Sequence, residues 1–218
     1  FYLYSERAAQ EIWAFDPTAR IIIMLRNPVD MMYSMHARNL MDGNERIRDF
    51  ATALQAEATR RTSEHPPRGC YFRQGLYYRG LAHFPAQIRR YFDQFGRGQV
   101  HVVLFDELRE DSLTVIRNVL SFLELDTEIA IPHHRANQGV VVKSLALAGF
   151  LREPPAFLQR LPAGVGHALA WRLNRWNRSA LARPPLERNL RIRLLNEFAP
   201  EIDELAGILQ RDLAHWLE

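Results

Sequence analysis

The stretch that decides the fold runs from Ile21 to Ser34 and reads IIIMLRNPVDMMYS. Its first five residues form an uninterrupted apolar run, which predicts a strand buried on both faces, as in a parallel sheet. Asn27 is a favourable N-cap, Pro28 suits the first helical position, and Asp30 stands where the acid of a capping box belongs. The sequence therefore predicts a strand followed at once by a helix over residues 28–40.

The joint between this strand and this helix is a candidate anion site. Ligands of open α/β sheets bind beyond the carboxyl ends of the strands, and a helix N-terminus offers N–H groups and the positive end of its dipole. Arg26 stands at the joint with a guanidinium fork suited to phosphate, and Ser34 could add a hydroxyl from two turns into the helix. The alternative is that Arg26 is an ordinary surface residue and that Ser34 bonds its own helix backbone.

Outward from this joint, helical and strand patterns alternate along the chain. Strands that alternate with helices indicate an α/β fold with a parallel sheet. Between residues 126 and 187 the periodicity fades and prolines punctuate the chain, so an irregular covering segment is expected there. A second buried strand is expected over residues 100–105, and further helices over 6–15, 47–61, 77–92, 113–125 and 187–218.

The composition excludes several classes of protein. The chain has 218 residues, of which 47% are hydrophobic, and this length fits one domain with a real core. It holds no apolar run near the roughly 20 residues that a membrane helix needs, so no membrane span is expected. The one cysteine, Cys70, excludes an internal disulfide framework and a cysteine-based zinc site. No metal-ligand spacing is present, and no metal is expected.

The charge balance is mildly basic, with 28 Lys and Arg against 25 Asp and Glu. Arginine dominates, since Lys143 is the one lysine of the chain. Guanidinium groups suit phosphate and carboxylate, so small anionic ligands are plausible, although codon bias toward arginine would give the same excess. Because the arginines are dispersed, we expect only weak, salt-sensitive contact with nucleic acid and no specific nucleic-acid partner.

Ile21 to Ser34 resembles the 3′-phosphate-binding motif of sulfotransferases that use 3′-phosphoadenosine 5′-phosphosulfate. That motif is a hydrophobic strand, then R-N-P, then a serine seven residues after the asparagine. R-N-P alone is a weak signal, whereas several similar segments in the family's order are a strong one, and they cover most of the chain. They are Tyr2–Ser5, Gly75–Tyr77, Asp106–Leu108, Leu120–Leu123 and the ending Phe198–Trp216, which is like the bacterial and heparan-type branch.

The resemblance implies a fold and a set of binding residues. The fold would be a three-layer, P-loop-NTPase-like α/β domain, with a central parallel sheet flanked by helices, spanning residues 1–218. Arg26 and Ser34 would hold the 3′-phosphate, and Tyr77 would lie near the adenine. The segment from Asn137 to Ser144, with Lys143 in it, resembles the late loop that closes over the nucleotide.

The resemblance also implies what the 218 residues do not contain. Nothing in them matches the family's Gly-rich phosphosulfate loop with its catalytic lysine. That loop and the catalytic base are expected upstream of residue 1, so the domain would lack its N-terminal part and no catalytic residue is assigned. The implied reaction is metal-free transfer of a sulfuryl group to a hydroxyl or amine of a small-molecule or carbohydrate acceptor. A bacterial cytoplasmic location is expected, with the Golgi lumen as the alternative.

Two other functions stay open at this stage. One is a nucleotide-kinase-like enzyme on a related fold, which also needs a phosphate loop. The other is a non-catalytic basic module for nucleic acid or acidic glycans, which clustered arginines beside exposed aromatic residues would favour. A stretch rich in both residue types could form an acceptor-facing surface, or could combine core tryptophans with solvated arginines: Trp171, Arg172, Arg175, Trp176 and Arg178.

Overall fold

The computed structural model describes residues 2–67, 69–129, 141–152, 163–179 and 184–218. The chain divides into two compact units: residues 1–31, 80–134 and 191–218 form the first, and residues 32–79 and 135–190 form the second. The helices are α1 Ala8–Phe15, α2 Pro28–Met41, α3 Phe50–Thr62, α4 Tyr78–Ala82, α5 Phe84–Phe95, α6 Phe105–Glu110, α7 Ser112–Phe122, α8 Leu145–Arg152, α9 Ala163–Asn177 and α10 Arg188–Leu209. The strands are β1 Ile21–Leu25, β2 Val100–Leu104, β3 Val141–Val142 and β4 Arg178–Ser179.

A parallel strand pair lies at the centre of the first unit. β1 pairs with β2 in a register that sets Ile21 opposite Val100 and Leu25 opposite Leu104. Helices α5 and α7 both contact β2, and α1 packs on α5. The predicted parallel sheet and the α/β class are confirmed, and the carboxyl ends of both strands meet at one edge.

β1 differs from its prediction in burial. Ile23 and Leu25 are buried, whereas Ile22 is 43% exposed and Met24 is 53% exposed. The prediction that this strand is buried on both faces is therefore wrong. An apolar run with no polar alternation cannot reveal that one face is uncovered, because every side chain in it is suited to a core.

The predicted helix over residues 77–92 is two helices. α4 ends at Ala82, and α5 starts at Phe84 with Pro85 in its first turn. A proline inside a helix lacks the N–H that would bond the carbonyl four residues back, and its ring clashes with that carbonyl. In the first turn neither problem arises, so the chain restarts its helix at this point.

A buried ion pair organises the second unit. Glu45 receives two hydrogen bonds from the guanidinium of Arg60, at 2.8 and 2.9 Å, and one from the hydroxyl of Tyr78 at 2.9 Å. Its Oε1 also accepts the backbone N–H groups of Arg46 and Ile47. Every lone pair of the carboxylate thus has a donor, which is the condition under which a buried charge is tolerated.

The described part of residues 126–187 contains regular structure, where the fading periodicity predicts an irregular segment. Helices α8 and α9 pack together. The short antiparallel pair β3–β4 connects the N-terminal end of α8 with the C-terminal end of α9. The buried Asn177 fastens this hairpin, since its side chain accepts the N–H of Ser144 at 2.8 Å and donates to the Ser144 carbonyl at 2.9 Å. Ser144 in turn caps α8 by accepting the N–H of Leu147.

Candidate functional site

The strand edge of the first unit carries Arg26. Because Leu25 lies opposite Leu104, Arg26 and Phe105 leave the sheet side by side, and the guanidinium carbon lies 5.0 Å from the centroid of the Phe105 ring. About a third of the Arg26 side chain is exposed. A guanidinium that stacks on an aromatic ring can still donate hydrogen bonds through its N–H groups.

Asn27 occupies the helix N-terminus itself. Its Oδ1 accepts the N–H of Val29 at 3.0 Å and that of Asp30 at 3.4 Å, while Pro28 has no N–H to offer. The first turn of α2 therefore has its N–H groups capped, contrary to the expectation that they are free for an anion. What α2 still offers an anion at this end is its dipole.

Asp30 does not act as the acid of a capping box. Its carboxylate accepts a hydrogen bond from Arg191 at 2.7 Å, and its other oxygen lies 3.6 Å from the Arg26 guanidinium. Two arginines thus share one carboxylate, so the cluster of Arg26, Asp30 and Arg191 carries a net positive charge. Sequence reasoning missed Arg191, because nothing in the pattern of α10 marks it and 161 positions separate it from Asp30.

The C-terminal 3₁₀ turn, Ala214–Leu217, ties the two strand ends together. The Asn27 side chain donates to the Trp216 carbonyl at 2.7 Å. The Trp216 indole N–H donates to Asp106, just after β2, also at 2.7 Å. Trp216 and Asn27 are both buried, so the bond between them is shielded from water and holds the backbone that carries Arg26.

Ser34, the second predicted phosphate ligand, lies on α2 in the second unit and is exposed. Seven residues are almost two helical turns, so Ser34 lies on the same face of α2 as Asn27. Within the described ranges the structure gives its hydroxyl no hydrogen-bond partner, so the alternative of a bond to its own helix is absent there.

Tyr77 is buried in the second unit, where the structure gives it protein partners. Its hydroxyl donates to the Arg60 carbonyl at 3.4 Å, and the Arg61 guanidinium lies 4.5 Å from the ring centroid. Arg61 is itself held by Glu57 at 2.8 Å. One face of the Tyr77 ring is therefore already covered by a cation.

Lys143, also in the second unit, is exposed, and its Nζ lies 5.2 Å from the ring centroid of Trp176. Its backbone N–H donates to the Asn177 carbonyl, and its own carbonyl accepts from Arg48 at 3.3 Å. Its partner Trp176 and the nearby Trp171 are about 60% exposed, so the alternative that these tryptophans belong to the core is wrong. Asn137, predicted beside Lys143, lies outside the described residues.

A cavity of about 510 Å³ opens in the second unit. One face of α2 lines it with Tyr33, His36 and Leu40, and Phe50 at the start of α3 faces them. His36 is buried, and its Nε2 lies 2.8 Å from the Ile47 carbonyl. The charged residues of the lining are Arg48, Asp49 and Glu187.

The part of the chain that the structure describes holds no cluster of His, Cys, Asp or Glu able to ligate a metal ion. Across those same residues, no helix is long and apolar enough to cross a membrane.

A family model described as the sulfotransferase domain matches residues 9–138, which is more than half of the chain. The chain therefore belongs to the sulfotransferase domain family, and the resemblance seen in its motifs is confirmed. Among solved structures, a sulfotransferase from Alicyclobacillus acidocaldarius is similar, with 28% sequence identity and a TM-score of 0.68. This likeness confirms the expected P-loop-like α/β fold.

The likeness covers all of this chain but 65% of the Alicyclobacillus protein, so the chain spans about two thirds of that structure's length. A search of curated proteins finds no match.

Proposed function

We propose that the chain is the nucleotide-binding part of a sulfotransferase that uses 3′-phosphoadenosine 5′-phosphosulfate as its sulfuryl donor. The observation that carries the proposal is the partly exposed Arg26 at the common carboxyl edge of two parallel strands, in a chain of this family. Arg26 binds the 3′-phosphate through charge-assisted hydrogen bonds, and the exposed Ser34 hydroxyl adds a donor from the same helix face as the cap. The basic charge that Arg191 adds at this edge suits the same anion.

The donor set fits an organic phosphate. Two guanidinium groups and an exposed hydroxyl supply hydrogen-bond donors that suit phosphate oxygens. The two arginines keep a net positive charge after they pair with the single carboxylate of Asp30. Lys143 is a further residue that binds the nucleotide, and Tyr77 contributes to the adenine-binding region. The sulfuryl group goes to a hydroxyl or amine of a small-molecule or carbohydrate acceptor, in the cytoplasm of a bacterium.

The chemistry is in-line transfer, to which positioning and charge stabilisation contribute most. The residues of this chain fix the nucleotide end of the donor and so the direction in which its sulfuryl group points. The phosphosulfate loop and the base that deprotonates the acceptor come from residues outside these 218, in keeping with the share of the Alicyclobacillus chain that has no counterpart here.

The test is calorimetric binding of adenosine 3′,5′-bisphosphate and of adenosine 5′-monophosphate, the latter lacking the 3′-phosphate. A hydrogen bond to a charged group contributes about 1.5–3 kcal/mol, so Arg26→Ala should weaken binding of the bisphosphate roughly 10- to 150-fold. Ser34→Ala should cost about fivefold on the same scale. Binding of the monophosphate should hardly change in either variant.

Arg109, exposed on α6 of the same unit, gives the matched control. Arg109→Ala removes the same charge and should leave both affinities within about twofold, with folding of all variants checked by circular dichroism. If Arg26→Ala kept the preference for the 3′-phosphorylated nucleotide, the proposed phosphate site would be wrong.

A further inference from the structure

The charge of the chain is segregated along its length. Residues 129–186 contain eight Lys or Arg and a single acid, Glu153, whereas the remaining 160 residues contain 20 basic and 24 acidic residues. The small net charge of +3 therefore hides one strongly basic segment in an otherwise slightly acidic chain. A charge concentrated in this way creates a local field that the average does not suggest.

The largest described part of this segment is the α8–α9 hairpin, residues 141–152 and 163–179, which contains no Asp or Glu. On α9, Leu169, Arg172 and Trp176 follow one another at spacings of three and four residues, so they form one row along the helix. A second row pairs Trp171 with Arg175, whose guanidinium carbon lies 5.4 Å from the Trp171 ring centroid. All five side chains are exposed.

Large apolar side chains accompany the basic ones on this surface. Trp171 is 60% exposed, Trp176 61% and Leu169 44%, and Phe150 on α8 is 38% exposed. Each tryptophan also carries a cation over its ring, Arg175 on Trp171 and Lys143 on Trp176. A folded chain that leaves tryptophan and leucine in water beside basic side chains usually presents that surface to a partner.

We propose that the α8–α9 hairpin docks on the surface of an anionic phospholipid bilayer. Trp171 and Trp176 lie at the headgroup level, where amphipathic rings are favoured, and Leu169 reaches toward the acyl boundary. Arg172 and Arg175 lie against the lipid phosphates. A nucleic acid or a sulfated polysaccharide would match the cations and the rings, but it offers nothing to the aliphatic Leu169, so the bilayer fits the surface better.

Docking on a bilayer goes beyond sulfuryl transfer, and it can be measured without any enzymatic activity. The chain is floated with vesicles of phosphatidylcholine alone or mixed with phosphatidylglycerol, at low and physiological salt. We expect binding to the anionic vesicles, little binding to the neutral ones, and a weaker complex as salt rises. Tryptophan emission should shift to the blue on binding, and brominated lipid should quench it.

Matched variants separate the hairpin from the rest of the chain. Arg172→Ser combined with Arg175→Ser should weaken vesicle binding about 30-fold, at roughly fivefold for each basic residue near the bilayer. The control pair Arg109→Ser and Arg117→Ser, on exposed residues of the first unit, should change it by less than about twofold. Replacing Trp171 and Trp176 by Ser should abolish the emission shift, whereas Trp13→Ser, at another partly exposed tryptophan, should preserve it.

Several results would overturn the proposal. One is the absence of vesicle binding, and another is equal loss in the control pair. A third is binding without quenching by brominated lipid, since that measures contact of the wild-type rings with lipid and does not depend on any variant. Retention by a sulfated polysaccharide or single-stranded DNA with no vesicle binding would assign the surface to a soluble polyanion. Binding of adenosine 3′,5′-bisphosphate by the same variants tests the nucleotide site separately.

Discussion

Both atoms of the Asn27 side-chain amide make a structural hydrogen bond. Its oxygen caps α2, and its nitrogen donates to the Trp216 carbonyl, both in a buried position. An N-cap contributes about 1 kcal/mol and a further buried hydrogen bond about the same. The amide therefore ties the helix start to the C-terminal turn that stabilises the strand edge.

We expect Asn27→Ala to lower the free energy of unfolding in urea by about 2–3 kcal/mol, because both bonds are lost at once. Asp49→Ala removes the exposed cap of α3, which accepts the N–H of Thr52 at 2.8 Å, and should cost nearer 1 kcal/mol. Asn27→Asp keeps the oxygen that caps α2 but places a carboxylate oxygen against the Trp216 carbonyl, where both groups are acceptors. This variant should therefore also lower the free energy of unfolding. Equal costs for the two alanine variants would show that the Trp216 contact contributes nothing.

The residues around Arg26 show what sequence can and cannot give at this scale. The local sequence predicts that Arg26 lies at the joint between β1 and α2 and that Asn27 caps the helix, because both positions follow from where the strand ends and the helix begins. The contacts of Arg191 and Trp216 with this joint cannot be predicted in the same way, since both residues come from more than 160 positions away. The ending Phe198–Trp216 resembles the family, but that resemblance does not say which residue Trp216 contacts. Asp30 was misassigned for a related reason: its two arginine partners compete with the backbone N–H that a capping-box acid would accept.

At the scale of elements, Gly96 ends α5 with φ +73° and ψ 162°. This backbone region is nearly closed to residues with a Cβ, at a cost of about 1–3 kcal/mol. Nothing lies within 4 Å of a Cβ added there, so the strain would come from the backbone alone.

We therefore expect Gly96→Ala to lower the free energy of unfolding by about 1–3 kcal/mol. Gly98, two residues on, has the same open surroundings and no positive φ, which makes it the matched control. Gly98→Ala should be neutral or slightly stabilising, because it reduces the freedom of the unfolded chain. Urea denaturation of both variants measures the difference, and equal effects would contradict the assigned backbone conformation.

The Glu45–Arg60 pair makes the second unit sensitive to acid. Burial on its own would raise the pKa of Glu45, but the hydrogen bonds from Arg60, the Ile47 N–H and Tyr78, with the charge of Arg60, lower that pKa below its ordinary value of 4.5. Burial, followed by the charge of Glu45, raises the pKa of the Tyr78 hydroxyl, which therefore stays protonated as a donor.

Because the folded-state pKa of Glu45 is the lower one, the unfolded chain takes up the proton first as pH falls. The stabilisation is thus complete above about pH 4.5 and is lost as pH falls through the folded-state pKa. Glu45→Gln should destabilise at pH 7 by about 3–5 kcal/mol, since it leaves Arg60 without a counter-charge, and this difference from wild type should shrink below pH 4.5. Urea titrations at several pH values measure it. Glu64→Gln, in an exposed loop, is the control, and a difference independent of pH would contradict this account.

Elements were predictable where local signals mark their ends. α2 runs from Pro28 to Met41, as its cap and periodicity predict, and β2 follows its apolar run. The sequence does not predict α8 and α9, because prolines and glycines in and around them interrupt the helical periodicity. Their packing against one another supplies what the pattern lacks.

For the molecule as a whole, the sharpest expectation concerns turnover. The 218 residues contain no match to the phosphosulfate loop, so the chain by itself should bind the nucleotide yet transfer no sulfuryl group. Incubation with radiolabelled donor and a broad panel of hydroxyl and amine acceptors measures this. Product formation by the chain alone would place the catalytic groups within these residues.

The bond between Asn27 and Trp216 also sets the earliest point during synthesis on the ribosome at which the strand edge can be closed. The two partners are 189 positions apart. Synthesis at 5–20 residues per second separates their appearance by roughly 10–40 seconds. Until Trp216 is synthesised, the Asn27 amide lacks the carbonyl to which it donates, and the strand edge that carries Arg26 lacks the 3₁₀ turn that closes it. The strand edge that carries Arg26 must therefore wait for a turn that is translated 189 positions later.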